Sequence, residues 1–209
     1  MERAVKTRIK GRGAVQNPAG RFEHVESFPV DDGWATCEEP EKRLDTVVRP
    51  EKSCHIISSY DSPDIPFGRS VNPYKGCEHG CVYCFARPTH SYLGLSPGLD
   101  FETQIFSKPD AAKLLREAFE HKTYVPEVIA LGANTDPYQP AEKKLWLTRD
   151  LLEVFLEYRH PVSIITKSTT ILRDADLLQA LAKEKLVHVY LSVTTLDGEL
   201  ARRMEPRAS

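Results

Sequence analysis

The 209-residue sequence has no apolar run approaching the ~20 residues needed to cross a bilayer, and its polar N-terminal stretch lacks the apolar core of a secretion signal. Both absences predict a cytoplasmic protein without a membrane partner. Cysteine is scarce and odd in number, five in all. In a reducing compartment such cysteines read as metal ligands or free thiols rather than disulfides. Charge of either sign is not in excess: 28 Lys and Arg face 30 Asp and Glu, a formal −2. That balance gives no global sign of a polyanionic partner. Internal repeats and low-complexity tracts are absent, and no paired carboxylates or Ser/His/Asp set stand at a useful spacing. With 41% apolar and 28% charged residues, the chain can bury one substantial core.

The chemistry is concentrated in one short run. Cys77, Cys81 and Cys84 follow a Cys-x3-Cys-x2-Cys spacing inside Asn72–Ala86, with Tyr83 just before the last thiol. Three clustered thiolates can hold three corners of a four-iron cluster and leave the fourth iron without a protein ligand. Gly76 and Gly80 would let the loop backbone pass close to such a cluster. The alternative is structural zinc, which needs a fourth ligand; His79, His90 and Cys54 are the candidates. No second cysteine pair exists, and three thiolates crowd one loop, so the iron–sulfur reading is preferred. Cys37 and Cys54 read as ordinary thiols.

Residues 1–66 are rich in charge, Pro and Gly and read as an irregular leader, with Val47-Val48 and Ile56-Ile57 as short extended pieces. Its start is basic: Arg3, Lys6, Arg8, Lys10, Arg12 and Arg21 stand against Glu2. Such an arm is either a solvated tail or a phosphate-binding segment. Residues 67–209 read as the domain. Strands are predicted over 70–74, 127–132, 162–167 and 187–193. Helices are predicted from Pro109 to about Glu120 behind a Ser107 cap, and from Pro140 to about Tyr158. Two more follow, one behind Asp174 carrying Leu177, Leu178 and Leu181, and one from Asp197 into Met204. Apolar strands alternating with amphipathic helices predict an α/β fold with a parallel sheet, as a barrel or an open doubly wound sheet. The cysteine loop then sits at the C-terminal edge of the first strand, where such folds place their sites.

The runs Val71–Cys77 and Cys84–Arg87, together with Asn134–Pro140 and Ile165–Ser168, resemble the radical S-adenosylmethionine superfamily. Within it they are similar to the branch containing spore photoproduct lyase and DNA-repair-photolyase-like proteins, as is the leader run from Gly13-Ala14 to Asn17–Phe22. The resemblance implies a partial (β/α) barrel of six units, of which about four precede Ser209, so a truncated N-terminal portion is expected. It implies a [4Fe-4S] cluster on Cys77, Cys81 and Cys84, and S-adenosylmethionine on its open iron. Tyr83 would lie against the adenine, Asn134, Thr135 and Asp136 near the amino group, and Lys167 on the carboxylate. An inward ammonium on an apolar strand needs such an anion. Ser192, with Thr194 as a second, would meet the ribose or methionine moiety from the fourth strand.

The implied reaction is one-electron cleavage of S-adenosylmethionine to methionine and a 5′-deoxyadenosyl radical, which takes hydrogen from a substrate. The electron would come from an external donor such as flavodoxin or ferredoxin. Nucleic acid is the substrate class the resemblance suggests; a small molecule or peptide is the alternative within the same chemistry. A zinc-stabilised nucleic-acid-binding module is the alternative outside it, and a fragment that binds a cluster without turnover is a third. One departure stands out. The lyase uses a cysteine in the loop after the second strand as hydrogen-atom donor, whereas this chain has Asn134-Thr135 there and no cysteine beyond Cys84. Thymine-dimer repair by that route is therefore not expected.

Overall fold

Among residues 9–23 and 44–208, the segments described by this computed structural model, the chain lays down four short strands first. These are β1 (Val47–Pro50), β2 (Ile57–Ser59), β3 (Arg69–Val71) and β4 (Tyr74–Lys75). A 3-10 helix over Arg87–Leu93 leads to α1 (Leu99–Thr103), β5 (Gln104–Ser107), α2 (Ala111–Phe119) and β6 (Ile129–Leu131). Next come α3 (Glu142–Leu145), α4 (Leu147–Glu157) and β7 (Val162–Thr166). A second 3-10 helix over Thr169–Asp174 precedes α5 (Ala175–Lys183), β8 (Val187–Leu191) and α6 (Gly198–Met204).

The main sheet has the order β2-β3-β6-β7-β8, with β3, β6, β7 and β8 parallel and β2 antiparallel at one edge. Val71, Leu131 and Ile164 stand in register and are fully buried. They join Ile129, Val162, Leu115, Leu151, Phe155 and Leu181 in one core that packs α2, α4 and α5 against the sheet. Each such side chain contributes about 1.5–3 kcal/mol by leaving water. Because strand side chains alternate, the row Ser70, Ala130, Ser163 turns to the opposite face and keeps it narrow in side-chain bulk. β8 pairs only with β7 among the described residues, and Val189, Tyr190 and Leu191 on it are exposed. The sheet described is therefore open.

A smaller sheet, β1-β5-β4, stands beside it. The segment expected as an irregular leader thus supplies strands to both sheets: the Val47–Pro50 piece runs parallel to β5, and Ile57 pairs with Val71. The first expected strand divides. Pro73, which has no N–H to donate, sits at the corner between β3 and β4, and these belong to different sheets. Ser107 does not cap a helix; it ends β5, and its hydroxyl points to the Arg49 carbonyl at 3.4 Å. The expected helix from Pro140 breaks at Trp146, whose φ is +59°. There Glu142 accepts from the Thr148 N–H at 3.1 Å and the Trp146 ring receives the Arg173 guanidinium at 4.1 Å. Asp197 does cap α6, accepting from the N–H groups of Glu199 and Leu200.

Candidate functional site

The loop that leaves β4 carries all three clustered cysteines. Gly76, at φ +79°, starts it, and a Cβ there would press on the His90 ring, Ile105 and the Phe101 carbonyl. The Cys77 N–H donates to the Phe101 carbonyl at 3.0 Å, and the Cys84 N–H to the Cys81 carbonyl at 3.3 Å. Gln139, fully buried in the segment after β6, brackets the loop: it accepts from the Glu78 N–H and donates to the Gly76 carbonyl. Arg87 grips the other limb through the Cys81 and Gly98 carbonyls and the Glu102 carboxylate. Cys77 and Cys81 are buried and Cys84 is half-buried.

Two distant segments close over this loop. Glu102, without exposure, accepts from the N–H groups of Gly13 and Ala14 at 3.0 and 2.8 Å. Arg12 is buried too, donating to the carbonyls of Glu102 and Leu44. From the other side, the Val82 N–H donates to the Met204 carbonyl and the Arg207 N–H to the His79 carbonyl. Arg207 also pairs with Glu78 at 3.2 Å.

Beside the loop, Lys167 leaves the end of β7 and its ammonium donates to Ser192 Oγ at 2.8 Å, with Thr194 Oγ1 at 3.5 Å. The ammonium stands 5.5 Å from the centre of the Tyr83 ring. Four of the residues singled out in the sequence are thus gathered: Tyr83, Lys167, Ser192 and Thr194. The last two lie in the loop after β8, which ends at Leu191, rather than on the strand. A fifth residue joins them that the sequence did not mark. Glu205 Oε1 lies 2.8 Å from the Lys167 ammonium, accepts from Thr194 Oγ1 at 2.6 Å, and accepts from the Tyr83 hydroxyl. Its only advance signal was the anion that Lys167 required.

The segment after β6 is turned inward. Asn72 Oδ1 accepts from the N–H groups of Asn134 and Thr135, and the Thr135 hydroxyl donates to the Tyr74 carbonyl at 2.9 Å. Asp136 spends its oxygens on the Tyr138 N–H, the Thr166 hydroxyl and the Lys167 N–H, at 2.7–2.8 Å. These bonds stitch β6 to the end of β7 and fix where Lys167 emerges. Asp136 stays below the usual carboxylate range: burial opposes this, but His79 and those donors outweigh it. The side chain of Asn134 is half-buried.

Burial pushes the Cys81 thiol up to about 12, with Cys77 and Glu205 adding to the shift and Lys167 opposing it. Burial likewise raises Cys84. Metal binding here must displace thiol protons. His79, almost fully buried, places Nδ1 3.4 Å from Asp136 Oδ2; burial disfavours its charge, yet Cys77 and Asp136 prevail and raise it to about 10. No group of three His, Cys, Asp or Glu among the described residues is arranged to hold a metal ion. Of the candidates for a fourth zinc donor, His79 lies against Cys77 and Asp136, while the other two are placed otherwise. His90 is packed on Phe101 and bonded through Nε2 to the Gln104 carbonyl. Cys54 is exposed in a cleft lined by His55, Arg69 and Tyr124. Cys37 lies outside the described residues. The three thiols share one glycine-hinged loop, and among the described residues neither they nor their neighbours are set as a closed four-donor site.

The parallel strands, the crossover helices and the three-cysteine loop beyond the end of β3 define a mixed α/β domain with its thiols gathered in one loop. The sequence profile described as the Radical SAM superfamily matches residues 71–209, and the chain belongs to that superfamily. Its members bind a [4Fe-4S] cluster and S-adenosylmethionine. An uncharacterized protein of Mycobacterium tuberculosis is 43% identical over 141 residues, covering 68% of this chain and 42% of that protein. An uncharacterized protein of Methanocaldococcus jannaschii is 31% identical over 136 residues, covering 65% of this chain and 48% of its own. The chain therefore spans less than half the length of these relatives. No solved structure matches it. Among the described residues no helix is long and apolar enough to cross a membrane.

Proposed function

We propose that this chain forms the cofactor-binding part of a radical S-adenosylmethionine enzyme, with Cys77, Cys81 and Cys84 as the ligands of its cluster. The observation that carries the reading is the gathering of Lys167, Tyr83, Ser192 and Thr194 beside Cys81. An ammonium with hydroxyls around it suits a carboxylate, so Lys167 would take the carboxylate of S-adenosylmethionine. Tyr83, half-exposed, offers a ring face to the adenine, and Ser192 and Thr194 offer hydroxyls to the ribose or methionine. Asn134, Thr135 and Asp136 act on the amino group only through what their internal bonds leave free: the Asn134 side chain and backbone carbonyls. When bound, the cluster supplies one electron to the sulfonium and the cleaved cofactor supplies hydrogen-atom abstraction. The chain's part is to orient the cofactor and keep water from the thiols.

The finer reading, a photolyase-like enzyme built on a partial barrel, rests on the motif resemblance. Nucleic acid is the substrate class we favour, supported by that resemblance and by the exposed Lys10 and Arg21. Arg12 adds nothing to it, being buried in the scaffold. Arg3, Lys6 and Arg8 lie outside the described residues. An external one-electron donor of the flavodoxin or ferredoxin kind completes the scheme.

Anaerobic reconstitution with iron and sulfide, followed by dithionite and S-adenosylmethionine, tests the proposal. The unmodified chain should form 5′-deoxyadenosine and Cys81→Ala should not. Equal formation by both, or stoichiometric zinc without iron and sulfide in the purified protein, would defeat it. Lys167→Ala should keep the cluster absorbance and lose cofactor affinity; unchanged affinity would remove the carboxylate role.

A further inference from the structure

Glu205 occupies the position that an incoming carboxylate would need. Its Oε1 receives the Lys167 ammonium at 2.8 Å, the Thr194 hydroxyl at 2.6 Å and the Tyr83 hydroxyl. Lys167 is held in place from behind by Ser192 Oγ at 2.8 Å. One ammonium and two hydroxyls converging on a single oxygen form an anion cradle, and an internal carboxylate fills it. Glu205 is 9% exposed, and the Lys167 side chain is half-buried. Two carboxylates cannot share one half-buried ammonium at this range without repelling each other.

Glu205 is also tied to the cysteine loop by its neighbours. Met204 accepts the Val82 N–H, Arg207 donates its N–H to His79, and the Arg207 guanidinium meets Glu78 at 3.2 Å. Moving Glu205 off Lys167 therefore moves the strap that covers Glu78 to Val82. We propose that Glu205 is a displaceable internal carboxylate, a latch that holds Lys167, Tyr83 and Thr194 until the carboxylate of S-adenosylmethionine takes its place. Cofactor binding would then open the 204–207 strap. This rests on the reading of Lys167 given above and adds a competitor for it.

Binding is measured on the cluster-reconstituted chain, unreduced so that nothing turns over, with S-adenosylmethionine as titrant. Glu205→Gln keeps the side-chain length and an acceptor while removing the charge. It should bind at least about fivefold tighter, the lower end of coupling between linked sites. Glu205→Asp, one methylene short of the cradle, should shift the same way. Unchanged or weaker binding by both variants overturns the latch and leaves the function standing. No binding by the unmodified chain or by either variant overturns the function reading and the latch with it. Binding that appears only in the variants supports the latch most strongly. Should both variants fail to fold, hydrogen exchange on the unmodified chain decides. The amides of Val82 and Arg207 should exchange faster when S-adenosylmethionine is saturating, and unchanged or slower exchange overturns the latch.

Discussion

Gly13 and Gly80 meet backbone to backbone: a Cβ on Gly13 would overlap the Gly80 carbonyl oxygen, and Gly80 itself holds φ +66° against the Glu102 carboxylate. The leader is thereby fitted onto the cysteine loop at a spot where no side chain can stand. Gly13→Ala should pull residues 12–14 off the loop. The check is iron and sulfide retained after reconstitution, with a fall expected at unchanged secondary structure. Gly198→Ala is the control. It sits in α6 with open space around it, so it should be neutral or stabilise by about 0.5–1 kcal/mol.

Glu102 serves the same closure from beneath. It is fully buried and accepts from two leader amides and from Arg87 at 2.6 Å. Glu102→Ala leaves a half-buried guanidinium and two amides without their acceptor, which should cost about 3 kcal/mol in denaturant unfolding. Glu117→Ala, removing an exposed partner 3.8 Å from Lys113, should cost less than about 0.5 kcal/mol.

Some of this was written plainly in the chain. The runs around Ile129–Leu131 and Val162–Thr166 are near-continuously apolar, as strands covered by helices must be; Val187–Leu191 gave the same signal although β8 stands exposed at the sheet edge. The cysteine spacing marked the loop by itself. The stretch 87–107 gave no such signal, because its strand is four residues long and its helices are only seven and five residues long, the first of them a 3-10 helix. The break at Trp146 was illegible as well: no Gly or Pro announces it, and it depends on Glu142 and Arg173, one of them distant in sequence. Glu102, Gln139 and Glu205 looked like ordinary solvated polar residues. Their importance comes from partners 60 or more residues away for the first two, and from Tyr83 and Lys167 for the third. Local periodicity carries no such information.

His160 should make stability depend on pH. It stacks on Phe119 with ring centres 4.2 Å apart, its Nδ1 lies 2.9 Å from the Pro161 carbonyl and its Nε2 lies 2.7 Å from the Tyr124 hydroxyl. Neutral imidazole satisfies both by donating from Nδ1 and accepting at Nε2. Burial holds its pKa below the ordinary value, the Pro161 carbonyl opposes this, and the Arg69 guanidinium adds to it. The unfolded imidazole takes its proton near 6.5 and the folded one only at lower pH, so below about 6.5 the unfolded state binds more protons. Stability should be full above that pH and fall as pH drops. Urea unfolding across about pH 5 to 7.5 checks it: His160→Gln should flatten the slope, and an unaltered slope would acquit His160. Burial shifts His90 in the same direction, so some slope should remain.

Leu151 lies in the centre of the core with no exposure, among the side chains that join α4 to the sheet. Leu151→Ala should cost about 2–5 kcal/mol, depending on how far the neighbours relax into the gap. Thermal unfolding of the apo chain is the measurement, and a loss below about 1 kcal/mol would mean that α4 is held elsewhere.

The closure of the cysteine loop by Gly13 on one side and by Met204 and Arg207 on the other has a kinetic meaning. Those contacts join residues far apart in the sequence, so their loop-closure entropy is met late, after the helices and neighbouring strands have formed from local pieces. A nascent chain would expose its thiols to solvent and oxidant until residues 204–207 had emerged and docked. Enclosure of the thiols is therefore timed by segments lying on both sides of them in sequence rather than by the loop itself.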